Sequence, residues 1–182
     1  MNPERNNKRE RFIKDLTVER SKTAQEGFSL AQDFFDRIRT EYPDFGYPGR
    51  KTMDAFNPNN IERSAQRTAI TYAARVNNLV VGVLTGEEIT GEEEGEEDPL
   101  IYKGQTLIVD PKFQNTNVIE NLLTQARSYY ETVMMTPVLM GGKRRPSTSR
   151  VEVLRRYYRK LGFKDRPREN TMIWRKEKDK DV

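Results

Sequence analysis

The chain has 182 residues with no cysteine and no histidine, 35% hydrophobic and 33% charged. That is one domain's worth of chain with a polar but globular balance. It excludes thiol and imidazole chemistry, disulfides and Cys/His metal sites, so no metal is expected. The net charge of +4 conceals a segregation: residues 87–98 hold eight acids and no base, whereas 143–168 hold eleven Lys/Arg against Glu152 and Asp165. No run approaches the ~18 apolar residues of a membrane span. The start, MNPERNNKRER, has no apolar signal region, so the expected compartment is the cytoplasm, with no membrane partner.

Residues 1–10 read as a flexible basic arm, 11–176 as a single domain, and 177–182 as a charged tail. Residues 11–20 alternate loosely and are expected to supply a first strand. Over 23–42, Phe28, Ala31, Phe35, Ile38 and Tyr42 recur at helical spacing beside Leu30 and Phe34. Ser21 or Thr23 can cap that helix, and Pro43 stops it. The segment 43–60 is rich in Gly, Pro, Asn and aromatics, a long loop of the kind that carries function. Its aromatics include Phe45, Tyr47 and Phe56.

Residues 67–90 read as a β-hairpin turning at Asn77-Asn78, both tolerant of positive φ. Gly82 inside the second strand marks a bulge or a close backbone approach. The acidic stretch 87–98 is expected to be a solvated loop, or a docking surface for a basic protein partner, leading to a strand from Leu100.

That strand ends in the apolar run Leu107-Ile108-Val109, stopped by Asp110-Pro111. Gln114-Asn115-Thr116-Asn117 then leads into an amphipathic helix over 117–134, with Ile119, Leu122, Leu123, Ala126, Tyr130 and Val133 on one face. Asn117 followed by Glu120 is spaced like a capping box. A strand, a tight loop and a helix N-terminus together present free N–H groups and a dipole that favours an anion. Residues 135–140 suit a buried strand and 141–146 a basic loop. A helix over 149–161 is closed by Gly162, and 171–176 is a last strand. The order contains a βαβ unit among antiparallel neighbours, which implies a mixed sheet with helices on its faces.

Two segments resemble the GNAT superfamily of acyl-CoA N-acyltransferases. Val109-Asp110-Pro111, then Gln114, then Leu122-Leu123 resemble its strand end, its [RQ]-G-x-G-x-[GA] loop and its helix, with Asn115, Asn117 and Ile119 in the glycine positions. Tyr157-Tyr158-Arg159-Lys160-Leu161-Gly162-Phe163 resembles the family's late F-Y-x-K-x-G-F segment.

The resemblance implies an α/β (α+β) fold with a mixed, mostly antiparallel central sheet and helices on both faces. It implies acetyl-CoA as cofactor, held by Ile108, Val109, Gln114, Asn115, Thr116, Asn117 and Val118. It implies a backbone N–H of that strand at the oxyanion and Tyr158 as the acid that protonates the departing thiolate. It makes Phe45, Tyr47 and Phe56 candidates for lining an acceptor pocket. Family members often carry a general base between positions 100 and 109. Here Lys103 and Gln105 are the polar residues there, and Glu87 and Glu88 on the neighbouring strand are the nearest carboxylates.

Two readings follow. One is an acetyl-CoA-dependent N-acetyltransferase acting on an amine of a small molecule or protein. The other is a GNAT-fold protein without acetylation activity, a binding or structural component inside the cell or in a virus or phage particle. The lost glycines, Glu120 in the first helical turn and the segregated charge belong to the second. Nucleic-acid binding through 143–168 has support from charge alone.

Overall fold

The computed structural model describes residues 11–43, 68–94, 100–136, 148–166 and 170–177. The arm 1–10, the acceptor-loop candidates Phe45, Tyr47 and Phe56, residues 95–98, the expected strand at 137–140, the basic loop 141–146 and most of the tail lie outside them. The described chain forms strands β1 (Leu16–Arg20), β2 (Thr68–Val76), β3 (Leu79–Thr90), β4 (Leu100–Val109), β5 (Thr132–Met135), β6 (Lys164–Asp165) and β7 (Met172–Arg175). The helices are α1 (Ala24–Glu41), α2 (Val118–Tyr129) and α3 (Thr148–Lys160). The seven strands make one sheet in the order β1-β2-β3-β4-β5-β7-β6. Every pairing is antiparallel except β4 with β5, the two strands joined through α2. A parallel pair needs such a crossover, so the mixed α/β sheet expected from the element order is the one observed.

Period-two alternation divides the core between the two faces of this sheet. Ala73, Val83 and Ile108 meet Ala31, Phe34, Phe35 and Ile38 of α1. Their neighbours Tyr72, Ala74, Leu84 and Val109 point the other way, into a cluster with Val118, Leu122, Leu123 and Ala126 of α2 and Tyr158 of α3. Further along the α1 face, Ile89, Ile101, Met134 and Ile173 form a third, smaller cluster.

Thr23 caps α1 by accepting the Glu26 N–H at 3.1 Å, while Ser21 is buried and its Oγ accepts the Thr71 N–H at 3.0 Å. The far end of α1 is tied to the end of β4. Arg37 donates to Asp110 Oδ2 at 2.9 Å and to the Val80 carbonyl at 2.7 Å, and the Tyr42 hydroxyl meets Asp110 Oδ1 at 3.3 Å. Asp110 is 1% exposed and also accepts the Lys112 N–H, capping a short 3-10 turn over Pro111–Phe113. Read from sequence as a strand terminator, it is the node that fixes where β4 stops relative to α1.

The hairpin turns at Asn77 and Asn78 with φ of 49° and 66°. The β2–β3 register slips by one between Ala74–Gly82 and Arg75–Val80, so Val81 is an extra residue beside Gly82. A Cβ on Gly82 would lie 2.7 Å from Val118 Cγ1, so the glycine lets the start of α2 settle on the sheet. Bulge and close approach therefore coincide at this position.

Four expectations are corrected. The first strand begins at Leu16, not at residue 11. The acidic stretch is not a loop from Glu87 onward, because β3 runs to Thr90 and a helical turn covers Gly91–Glu94. Cross-strand partners Lys103, Tyr102, Ile101 and Leu100 hold residues 87–90 in the ladder. Helix α2 ends at Tyr129 rather than 134, and the following strand occupies 132–135 rather than starting at 135. Thr132 to Met135 are all buried, between β4 on one side and β7 on the other. A run buried on both faces satisfies a helical and a strand pattern equally, and β-branched Thr132 and Val133 favour the strand. Finally, Asn117 makes no side-chain cap bond to α2; its amide is committed elsewhere, as described below.

Candidate functional site

The described pairing of the two parallel strands ends where the site begins. β4 and β5 are paired from Ile101–Thr132 to Gly104–Met135, and among the described residues the ladder ends there. Residues 106–109 of β4 continue in register with β3. The last described pair lies beside a second register slip, between Thr85–Thr106 and Gly86–Gly104, which makes Gln105 an extra residue. Such bulges re-aim side chains beside functional sites.

Beyond Val109 the chain passes through the 3-10 turn into the loop 114–117. Gln114 and Asn115 are exposed, Asn115 has φ of 63°, and Thr116 is half-buried. The left-handed backbone that glycine would adopt is thus present at Asn115. It is absent at Asn117, which has φ of −73°. The Thr116 hydroxyl donates to the Phe113 carbonyl at 2.5 Å and accepts the Val118 N–H at 3.4 Å. Among the described residues no acceptor receives the N–H of Asn115, Thr116, Ile119 or Glu120. The Val118 side chain is fully buried in the core, and Ile119 packs partly against that core instead of filling the loop.

The amide of Asn117 turns outward along the chain. Its Oδ1 accepts the Ile13 N–H at 2.9 Å and its Nδ2 donates to the Ile13 carbonyl at 3.3 Å. The Arg11 N–H donates to the Asn115 carbonyl at 3.0 Å, and Arg11 forms a parallel bridge with Thr116. The segment before β1 is thereby laid along the loop. Nothing in the sequence pattern signalled this, because residues 11–13 have no strand partner near them in the chain.

Of the candidate catalytic groups, Tyr158 is 2% exposed. It packs against Phe163 at 5.5 Å and Tyr157 at 6.4 Å between ring centroids. Burial, followed by the neighbouring Tyr157, pushes its hydroxyl pKa up, which keeps the proton on at neutral pH. Ile108 and Val109 sit on opposite faces of β4. Glu87 and Glu88 also part company. Glu87 lies on the α1 face and accepts a hydrogen bond from Gln105 Nε2, at the register slip of β3 and β4. Glu88 lies on the α2 face, where it accepts from the Tyr130 hydroxyl at 2.6 Å and from Arg20 at 3.3 Å. Arg20 also stands 5.1 Å above the Tyr129 ring, and Tyr102 stacks on Tyr130 at 5.4 Å.

Sequence reasoning missed Thr85 and Thr106. They are cross-strand partners beside Glu87 and Gln105, at most 2% exposed, and among the described residues neither hydroxyl has a partner. Among the described residues there is also no cluster of three Asp or Glu side chains suited to a metal, and no helix long and apolar enough to cross a membrane.

No family model and no curated protein matches the sequence. Solved structures do. The chain is similar to the Bacillus subtilis N-acetyltransferase YlbP in complex with coenzyme A, at 17% identity, over 88% of this chain and 97% of that one, with a TM-score of 0.52. It is similar to a GNAT-family acetyltransferase from Brucella melitensis in complex with acetyl-CoA, at 16% identity, over 90% of each chain, with a TM-score of 0.50. A third is an aminoglycoside acetyltransferase from an uncultured soil metagenomic sample, in complex with sisomicin, at 17% identity, over 85% of this chain and 93% of that one, with a TM-score of 0.50. The fold is that of the GNAT acetyltransferases. Within this GNAT fold the end of β4, the loop 114–117 and the first turn of α2 lie in sequence order along one path. The carboxylate of Glu87 stands at the bulged Gln105.

Proposed function

We propose that the protein transfers an acetyl group from acetyl-CoA to an amine. The observation that carries this reading is the loop after β4, whose N–H groups at Asn115, Thr116, Ile119 and Glu120 point to no acceptor among the described residues. Backbone donors at the start of a twelve-residue helix suit a diphosphate. The complexes of similar folds with coenzyme A and acetyl-CoA support the same ligand.

In this reading the pyrophosphate rests on residues 114–118, with Gln114 and Asn115 at its exposed rim and the thioester arm beside Ile108 and Val109. Glu87 takes the proton from the acceptor ammonium, and the neutral amine attacks the thioester carbonyl. A backbone N–H of β4 beyond Gly104 stabilises the oxyanion. The C–S bond then breaks, and Tyr158, protonated through its burial, supplies the proton to the departing thiolate. Glu88 is engaged with Arg20 and Tyr130 and keeps a structural part. The complex of the aminoglycoside acetyltransferase with sisomicin supports a small amine as acceptor.

A GNAT scaffold without acetylation is favoured by one feature, the exposed Glu120 in the first turn of α2, which opposes a diphosphate there. Calorimetry with acetyl-CoA at low and moderate salt separates the two. Saturable one-to-one binding, followed by thiol release with an amine panel that Tyr158→Phe slows, is the expected result. No binding at millimolar acetyl-CoA overturns the enzyme reading and leaves the scaffold.

A further inference from the structure

We infer that residues 11–13, stapled by Asn117, form the outer wall of the cofactor site and contact the nucleotide half of acetyl-CoA. This rests on the reading above and deepens it. The geometry of the staple is the first argument. Asn117 reaches both the N–H and the carbonyl of Ile13, as a β-strand neighbour would, and the Arg11 N–H meets the Asn115 carbonyl. The segment therefore docks on the carbonyl of Asn115 and on a side-chain amide. It leaves the N–H groups of Asn115, Thr116, Ile119 and Glu120 without an acceptor among the described residues. A segment that blocked the loop would take up those donors, whereas this one borders them.

The second argument is what the segment exposes. Ile13 is packed on the core and anchors the chain, while Phe12 is 76% exposed and Arg11 is exposed beside it. A cation and a flat aromatic ring held next to these N–H groups match the parts of an adenosine 3′,5′-bisphosphate: phosphates for the guanidinium and a base for the ring. The staple also gives Asn117 a positioning role. It holds a different wall in place by a side chain that glycine lacks.

The test compares acetyl-CoA with acetyl-pantetheine, which carries the same thioester and lacks the nucleotide. Binding of both is measured by calorimetry for the wild type, Arg11→Ala, Phe12→Ala and Asn117→Gly. We expect each variant to lose about tenfold in affinity for acetyl-CoA, the scale of one charge-assisted bond or one stacked ring. Affinity for acetyl-pantetheine stays within twofold. Asn117→Gly should also make the chain before Leu16 an easier target in limited proteolysis, a readout that needs no ligand. Arg11→Ala and Phe12→Ala alter exposed side chains and keep the test open should Asn117→Gly fold poorly. Unchanged affinity for acetyl-CoA in both surface variants overturns the inference, and so does tighter binding, which would make the segment an obstruction. Equal losses for both ligands overturn it as well. A wild type that binds neither ligand overturns the function reading itself, a distinguishable outcome.

Discussion

Glu87 and Glu88 are adjacent in sequence and have opposite surroundings. A strand sends neighbouring side chains to opposite faces, so one carboxylate meets Gln105 at the β4 bulge, and the other closes a network with Arg20 and Tyr130. The first stands at a bulge in the sheet, beside the buried hydroxyls of Thr85 and Thr106. The second stands among four tyrosines, Tyr72, Tyr102, Tyr129 and Tyr130, whose rings contact one another across the α2 face. The difference teaches that a carboxylate's chemistry here is set by which face it occupies and not by its place in an acidic run.

Four substitutions or titrations break or sharpen this contrast. The largest effect is expected for Glu87→Gln, which keeps the Gln105 contact possible and removes the proposed base. The turnover number should fall by about a hundredfold or more, with a smaller change in KM, and the loss should shrink as pH rises and free amine becomes available. Next is the alkaline limb of stability. Burial, aided by Glu88, pushes the Tyr130 pKa up to about 12, and burial also raises Tyr72 and Tyr102. A hydroxyl whose folded pKa lies above its unfolded value stabilises fully below the unfolded pKa, ordinarily about 10. That contribution is lost as pH climbs toward the folded value, so urea midpoints should drop steadily from about pH 10 to 12 as tyrosinate absorbance appears.

Glu88→Ala comes third. It leaves Arg20 and the Tyr130 hydroxyl without their shared acceptor and should cost about 1–3 kcal/mol in urea unfolding. Catalysis per folded molecule should be nearly unchanged. If Glu88→Ala stops turnover and Glu87→Gln does not, the assignment of the two faces is reversed. The smallest effect is expected for Asn115→Gly, where the backbone is already left-handed. Relief of strain and added freedom of the unfolded chain nearly offset, so stability should move by less than about 0.5 kcal/mol. The same exchange at Asn117 cuts the staple to Ile13, so the two asparagines that occupy equivalent-looking places in the loop should respond differently.

Much of the fold was legible because its signals are local. Asn77-Asn78 turned where their tolerance of positive φ required, Thr23 capped α1, and Gly162 ended α3 with φ of 85°. The end of α2 was misplaced because Val133 suits a helix face and a doubly buried strand alike. At the site, the loop after β4 and its exposed residues were readable from the strand-loop-helix pattern. The separate faces of Glu87 and Glu88 follow from alternation once 87–90 are known to be strand. What stayed hidden is long-range: the partner of Asn117 lies 104 residues away and that of Asp110 lies 73 away. A polar side chain's partner across such a distance leaves no periodicity to read.

The ends of the sheet carry a further consequence. At one border lies β6, two residues long and made of Lys164 and Asp165, with Asp165 bound to Arg155 and Arg159. At the other lies β1, five residues, whose Glu19 is paired with Arg75. A short border and charged side chains both discourage a second sheet from adding on. Seven strands with many buried apolar residues would otherwise offer a template for amyloid-like growth, and here the template is blunted at both borders.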